Sequence, residues 1–178
     1  GPIKVALPGP YLLTRTMWME CIADNVYASR EQIAADIVQV LHDEISDLLD
    51  AGASLVQIDE PVLSEVVFSG AKNKRSFMCG SLSESEGPAH ELAFARELVN
   101  AVVAGLPRER IALHVCRGNW TPDESVAPSG SYAPLIPTLA GMKVGAYLLE
   151  ACTPRAGDMA LLQQLPLGYL RLSADYAR

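Results

Sequence analysis

The chain has little positive charge, few cysteines and no long apolar run. Its 178 residues carry 14 lysines and arginines against 21 aspartates and glutamates, which gives a formal net charge of −7 at pH 7. This balance argues against nucleic acid or an anionic membrane surface as a partner, because both are bound through clustered Lys and Arg. No apolar stretch approaches the roughly 20 residues that span a bilayer. The first ten residues lack a basic segment followed by a long apolar run, so we expect no signal peptide.

The four cysteines are too few and too scattered for a disulfide framework in a chain of this length. We therefore expect reduced thiols and a cytoplasmic protein. Apolar residues make up 49% of the chain and charged residues 20%, as in an ordinary globular protein. The length suits one domain, and we expect residues 1–178 to form it.

Apolar segments that suit strands alternate with amphipathic segments that suit helices. The spacing predicts strands over 3–7, 54–59, 111–116, 145–150 and 169–172, and helices over 31–49, 88–105, 133–140 and 158–165. Residues 11–27 are expected to be loop with a short helix, and residues 63–88 a long loop with some local helix. This alternation predicts an α/β fold with a parallel sheet and helical crossovers. Five strands are too few for a closed eight-stranded barrel, so the sheet is either open or part of a barrel.

Three residues that can bind a metal stand at the carboxyl ends of neighbouring predicted strands. His114 and Cys116 are two apart, so their side chains point to the same face. Glu150 ends the next strand and adds an oxygen donor, which completes a set of nitrogen, sulfur and oxygen that zinc accepts. The alternative is a buried core His and Cys, with Glu150 paired to Arg117 or Arg155.

A second acidic site follows the strand 54–59. Strand alternation places Gln57 and Asp59 on one face and Glu60 on the other, and Pro61 ends the strand. An acid at this edge of a parallel sheet suits the binding of a substrate ammonium group or the acceptance of a proton. The alternative is a structural carboxylate that caps the following helix.

Four segments occur in an order that identifies a family. They are Leu-Pro-Gly-Pro at 7–10, Val-Gln-Ile-Asp-Glu-Pro at 56–61, His-Val-Cys-Arg-Gly-Asn at 114–119 and Leu-Glu-Ala-Cys-Thr-Pro-Arg-Ala-Gly-Asp at 149–158. Together they resemble the catalytic barrel of cobalamin-independent methionine synthase, and most closely its short single-barrel relatives. The resemblance implies a (β/α)₈ TIM barrel of the methionine synthase/uroporphyrinogen decarboxylase type. This chain looks like an incomplete central portion of it.

The resemblance also implies a zinc-dependent methyltransferase. In this family zinc holds the homocysteine thiol as a thiolate, which takes a methyl group from a methyl-folate donor and becomes methionine. The matching positions give His114, Cys116 and Glu150 as the Zn²⁺ ligands. Asp59 matches the catalytic acid that holds the homocysteine amino group, and we expect Glu60 beside it to contact the substrate. The family's remaining zinc ligand is a cysteine on a later strand, so the fourth ligand is either Cys152 or a cysteine that this sequence lacks.

Two alternatives stay open at this point. One is a related zinc-thiolate alkyltransferase with another thiol, such as coenzyme M, and an epoxide. The other is a barrel fragment without catalytic activity. A partial barrel exposes sheet edges, which predicts self-association into a homo-oligomer.

Overall fold

A computed structural model of the chain describes residues 1–18, 26–68, 87–116, 130–151, 157, 159–166 and 169–173. Its centre is a five-stranded sheet in which every neighbouring pair of strands is parallel. The strands lie side by side in chain order. They are β1 (Lys4–Pro8), β2 (Leu55–Asp59), β3 (Ile111–Val115), β4 (Ala146–Glu150) and β5 (Tyr169–Ser173). All five predicted strands are therefore present, with ends shifted by one residue at most.

Helices connect these strands. They are α1 (Pro10–Met17), α2 (Arg30–Asp50), α3 (Val62–Phe68), α4 (Pro88–Val102) and α5 (Ile136–Ala140), with 3₁₀ turns at Arg108–Arg110 and Met159–Gln164. The expected helix at 158–165 is thus a 3₁₀ turn, and the expected long loop begins with the regular helix α3. Within the part of the chain described, no helix is both long and apolar enough to cross a membrane.

Helix α2 shows how the sequence sets these elements. Ser29 is its N-cap and accepts a hydrogen bond from the backbone N–H of Gln32, whose side chain in turn accepts from the N–H of Ala28. These bonds satisfy amide groups that have no partner inside the first turn. Apolar residues then recur every four positions on the buried side, at Ile33, Ile37, Leu41, Ile45 and Leu49.

The two faces of the sheet differ. One face packs against the helices and carries the main core, with Val5, Leu7, Val56, Ile58, Ile111, Leu113, Val115, Tyr147 and Leu149 from the strands. The other face carries a separate small cluster whose members all come from strands: Leu55, Ala112, Ala146 and Leu148. A doubly wound sheet would have helices on both faces and a reversal in strand order. Sequential strand order, with the described helices packed on one face, is the arrangement of a barrel wall. We call the second face the inner face.

A buried ionic cluster joins the helices behind this wall. Glu91 on α4 accepts hydrogen bonds from the hydroxyl of Tyr11 (2.7 Å) and from the guanidinium of Arg30 (3.0 Å). Arg15 lies 3.6 Å from the same carboxylate. Burial raises the pKa of Glu91, but the hydrogen bond from Tyr11 and the two guanidinium charges outweigh it and hold the pKa below its usual value. The cluster ties α1, α2 and α4 together near their junction with the sheet.

Candidate active site

The register of the strands brings Asp59, His114 and Glu150 to one edge and one face of the sheet. Asp59 at the end of β2 lies opposite His114 on β3, and His114 lies opposite Leu148 on β4. Glu150 is two residues beyond Leu148, so alternation places it on the same face. This is the inner face, at the carboxyl ends of the strands. Enzymes with barrel folds have their active sites at this end.

Asp59 and His114 are in direct contact. Oδ1 of Asp59 lies 3.1 Å from Nδ1 of His114, and the side chains are 34% and 16% exposed. Burial raises the pKa of Asp59, but hydrogen bonds from His114 and Gln57 and the charge of Lys4 hold it below its usual value. The carboxylate is therefore ionised at neutral pH and can only accept hydrogen bonds, so the proton of a neutral His114 ring lies on Nδ1.

Two further residues extend this contact along the inner face. Gln57 donates from Nε2 to Oδ1 of Asp59 at 2.6 Å, and Lys4 on β1 donates from Nζ to Oε1 of Gln57 at 2.8 Å. The second carboxylate oxygen of Asp59, Oδ2, accepts no hydrogen bond from the described residues. Sequence reasoning did not single out Lys4. The signal that could have identified Lys4 is its charge, because the other residues of β1 are apolar.

Cys116 and Glu150 follow on the next strand ends. Cys116 comes directly after β3 and is half-buried. Glu150 is the last residue of β4 and is fully buried, and its backbone carbonyl accepts a hydrogen bond from the hydroxyl of Tyr132 at 2.8 Å. Arg117, Arg155 and Cys152 lie outside the described residues. The ion pairs considered for Glu150 and the proposed fourth ligand therefore stay predictions.

The donor set on this face fits zinc by its chemistry. An imidazole and a thiol stand at the end of β3 and a carboxylate at the end of the neighbouring β4. The imidazole also has the carboxylate of Asp59 behind it, as metal-binding histidines commonly do. In the described ranges, no three His, Cys, Asp or Glu side chains lie close enough together to hold a metal ion. The metal roles of His114, Cys116 and Glu150 rest on register and chemistry and stay predictions.

Glu60 points away from this face. It is fully buried, and its two carboxylate oxygens accept hydrogen bonds from the backbone N–H groups of Tyr11 (2.8 Å) and Leu12 (3.0 Å) at the start of α1. Burial raises its pKa to about 8, against the effect of these two donors, and the charge of Asp59 adds to the rise. A side chain on Gly9 would collide with this carboxylate. The structure thus gives Glu60 a capping role on α1, and its expected contact with substrate stays a prediction.

A cavity of about 510 Å³ lies at the other end of the sheet. Lys4, Leu55, Glu109 and Ala146 line it, close to the amino ends of the strands. In parallel α/β folds this end contributes to stability and the carboxyl end carries the chemistry. The cavity therefore lies away from the carboxyl ends of the strands, although Lys4 belongs both to its lining and to the row of hydrogen bonds that reaches Asp59.

Comparison with known proteins decides the family. The sequence profile of the family described as cobalamin-independent synthase, catalytic domain, matches residues 2–127. The chain belongs to this family. It is 27% identical over 163 residues to a methionine synthase from Thermococcus kodakarensis, and this match covers 92% of this chain and 37% of that protein. It is 26% identical over 119 residues to a methionine synthase from Sulfurisphaera tokodaii, and this match covers 67% of this chain and 27% of that protein.

Solved structures of cobalamin-independent synthases have the same fold. A B12-independent methionine synthase from Shewanella sp. W3-18-1, in complex with selenomethionine, matches with a TM-score of 0.63 at 22% identity. The match covers 96% of this chain and 44% of that one. A putative vitamin-B12 independent methionine synthase from Listeria monocytogenes matches with a TM-score of 0.57 at 18% identity, over 96% of this chain and 56% of that one. The expected barrel fold is confirmed: the described sheet and helices form part of a TIM barrel. The chain spans less than half the length of the methionine synthases from Thermococcus kodakarensis and Sulfurisphaera tokodaii.

Proposed function

We propose that the protein carrying this chain is a zinc-dependent methyltransferase that methylates the thiol of homocysteine to form methionine. Membership of the cobalamin-independent synthase family supports this proposal. The observation that carries it is that His114 and Glu150 lie on one face at the carboxyl ends of adjacent strands, with Asp59 in contact with His114. Cys116 directly follows the strand that carries His114.

His114, Cys116 and Glu150 would hold the zinc ion, with Cys152 or a cysteine outside this sequence as the fourth ligand. Bound zinc would supply a Lewis acid that keeps the substrate thiol deprotonated at neutral pH. The protein's own side chains would place the rest of the substrate. His114, fixed by Asp59, would keep its ring orientation while substrate enters and leaves.

Asp59 is suited to bind the ammonium group of an amino-acid thiol. Its carboxylate is ionised, one-third exposed, and has Oδ2 available on the inner face while Oδ1 is held by two donors. A thiol that carries a sulfonate, such as coenzyme M, has no ammonium group and would be repelled by this charge. Asp59 therefore favours homocysteine over the alternative thiol.

We also propose that residues 1–178 belong to one domain. Among the described residues, one hydrophobic cluster includes side chains from Tyr11 on α1 to Leu165 after the last 3₁₀ turn. A continuous core of this kind is the usual mark of a single folding unit.

A parallel assay of thiol consumption tests the reaction. The full-length protein with zinc would be given homocysteine or coenzyme M, each with a methyl-folate, methylcobalamin or an aliphatic epoxide. We expect methionine to form from homocysteine and methyl-folate, and this activity to be lost in Cys116→Ser. Turnover of coenzyme M with the epoxide, in place of methionine formation, would contradict the proposal and support the related alkyltransferase.

A further inference from the structure

We propose that Lys4 and Gln57 are positioning residues that act through Asp59 to fix the ring orientation and tautomer of His114. The inference rests on the proposed function only in taking His114 as a metal ligand. Neither residue touches the reacting groups. Their role would be to decide which ring nitrogen of His114 carries the lone pair that a metal needs.

The direction of each hydrogen bond in the row from Lys4 through Gln57 and Asp59 to His114 is set by which groups can donate and which can accept. The ammonium of Lys4 has only donors, so the amide oxygen of Gln57 must face it. The amide nitrogen of Gln57 then faces Asp59, whose ionised carboxylate has only acceptors. The same oxygen of Asp59 must be met by a proton on Nδ1 of His114. The neutral ring therefore carries its lone pair on Nε2.

Burial makes Gln57 the critical member. Its side chain is 7% exposed, so its amide needs partners inside the protein, and Lys4 and Asp59 supply them. Lys4 is exposed at the start of β1, where its hydrogen bond competes with water. We expect the tautomer of His114 to depend strongly on Asp59, less on Gln57 and least on Lys4.

The alternative is that Gln57 only stabilises the sheet. A structural role would change the free energy of unfolding but would leave the tautomer of His114 unchanged in the folded protein. Gln57→Met separates the two, because methionine has a similar length and no hydrogen-bonding amide. Gln39→Met is the matched control, since Gln39 forms an exposed Gln–Asp hydrogen bond with Asp43 on α2, away from the sheet edge.

The test uses the metal-free, full-length protein with ¹⁵N-labelled histidine, in alkaline buffer in which the imidazole ring is neutral. The chain contains three histidines, and the signal of His114 is assigned by its loss in His114→Asn. We expect the nitrogen shifts of the wild type and Gln39→Met to report the Nδ1–H tautomer. Those of Gln57→Met should report a mixture, because Asp59 without the hydrogen bond from Gln57 is free to turn away from His114. Lys4→Met should change the nitrogen shifts of His114 in the same direction as Gln57→Met, but by less. Because Lys4 is exposed, this variant provides the test if Gln57→Met folds poorly.

Zinc affinity, measured by competition with a chelator, gives the second readout. Loss of partners behind a metal-binding histidine commonly weakens metal binding by about 10–100-fold, and we expect about tenfold for Gln57→Met and no change for Gln39→Met. Unchanged tautomer and zinc affinity in folded Gln57→Met would overturn the inference. If the wild type binds no zinc but Gln57→Met still changes the tautomer of His114, the proposed function is contradicted and the positioning role is supported.

Discussion

Asp59 and His114 lie directly opposite each other in the register of β2 and β3, with Oδ1 and Nδ1 3.1 Å apart. The sequence gives these residues separate predicted roles, one toward a substrate ammonium group and one toward a metal. The contact makes them one unit, because any change in the carboxylate alters both the charge offered to the substrate and the orientation of the imidazole.

Asp59→Asn should therefore damage two properties together. The amide keeps the size of the side chain but loses the negative charge, so KM for homocysteine should rise by at least tenfold. It also replaces the charged acceptor that holds His114 with a weaker, neutral amide oxygen, and zinc affinity should fall by about 10–100-fold. Gln57→Met is the comparison, because it should weaken zinc binding with little direct effect on the ammonium contact.

Steady-state kinetics at saturating zinc and chelator competition measure the two effects of Asp59→Asn separately. KM for the methyl donor should stay close to that of the wild type. Loss of zinc affinity without any change in KM for homocysteine would show that Asp59 serves the histidine alone.

Glu60 should make stability depend on pH. Its pKa is raised from 4.5 to about 8 in the folded protein. Between pH 4.5 and about 8 the folded protein keeps the proton of Glu60, whereas the unfolded chain has lost it. The stability that comes from this proton is therefore fully present below about pH 4.5 and is lost as pH rises through about 8. Glu60→Gln cannot titrate and should lack this decline.

Denaturant unfolding of the wild type, Glu60→Gln and Glu44→Gln between pH 4 and 9 checks this behaviour. Glu44 is exposed on α2, and its replacement should leave the pH profile of the wild type unchanged. Parallel curves for all three proteins would mean that the Glu60 carboxyl keeps an ordinary pKa when buried.

Glu91→Gln should destabilise the helical layer. The change leaves the guanidinium groups of Arg15 and Arg30 buried without their counter-charge, which typically costs about 3–5 kcal/mol. Tyr11→Phe removes one hydrogen bond to the same carboxylate and should cost about 1–2 kcal/mol. Thermal and denaturant unfolding measure both, with Glu97→Gln on the exposed side of α4 as the control. A loss for Glu91→Gln no larger than for Glu97→Gln would contradict the account of the cluster.

Much of the fold and of the site could be predicted because the signals are local. Short apolar runs that end in polar residues, Gly or Pro gave all five strands, and alternation along β2 separated Asp59 from Glu60 correctly. The contacts of Lys4 and Glu60 could not be predicted from such local signals. Lys4 and its partner Gln57 are 53 positions apart in the sequence, and Glu60 is 49 positions from its partner Tyr11 on α1. Such partners depend on strand register and on how a helix lies against a strand end. Helix α3 was expected only as local helix without bounds, because seven residues are too few to show a clear helical period.

The most direct test of the account is the zinc content of the full-length protein by elemental analysis. We expect about one zinc per chain, lost in His114→Ala and in Cys116→Ser and retained in His90→Ala, which changes an exposed histidine at the start of α4. Cys152→Ser reports whether that residue is the fourth ligand. Well-folded protein without zinc, or zinc retained in both His114→Ala and Cys116→Ser, would contradict the proposal that this sheet edge is a zinc-thiolate active site.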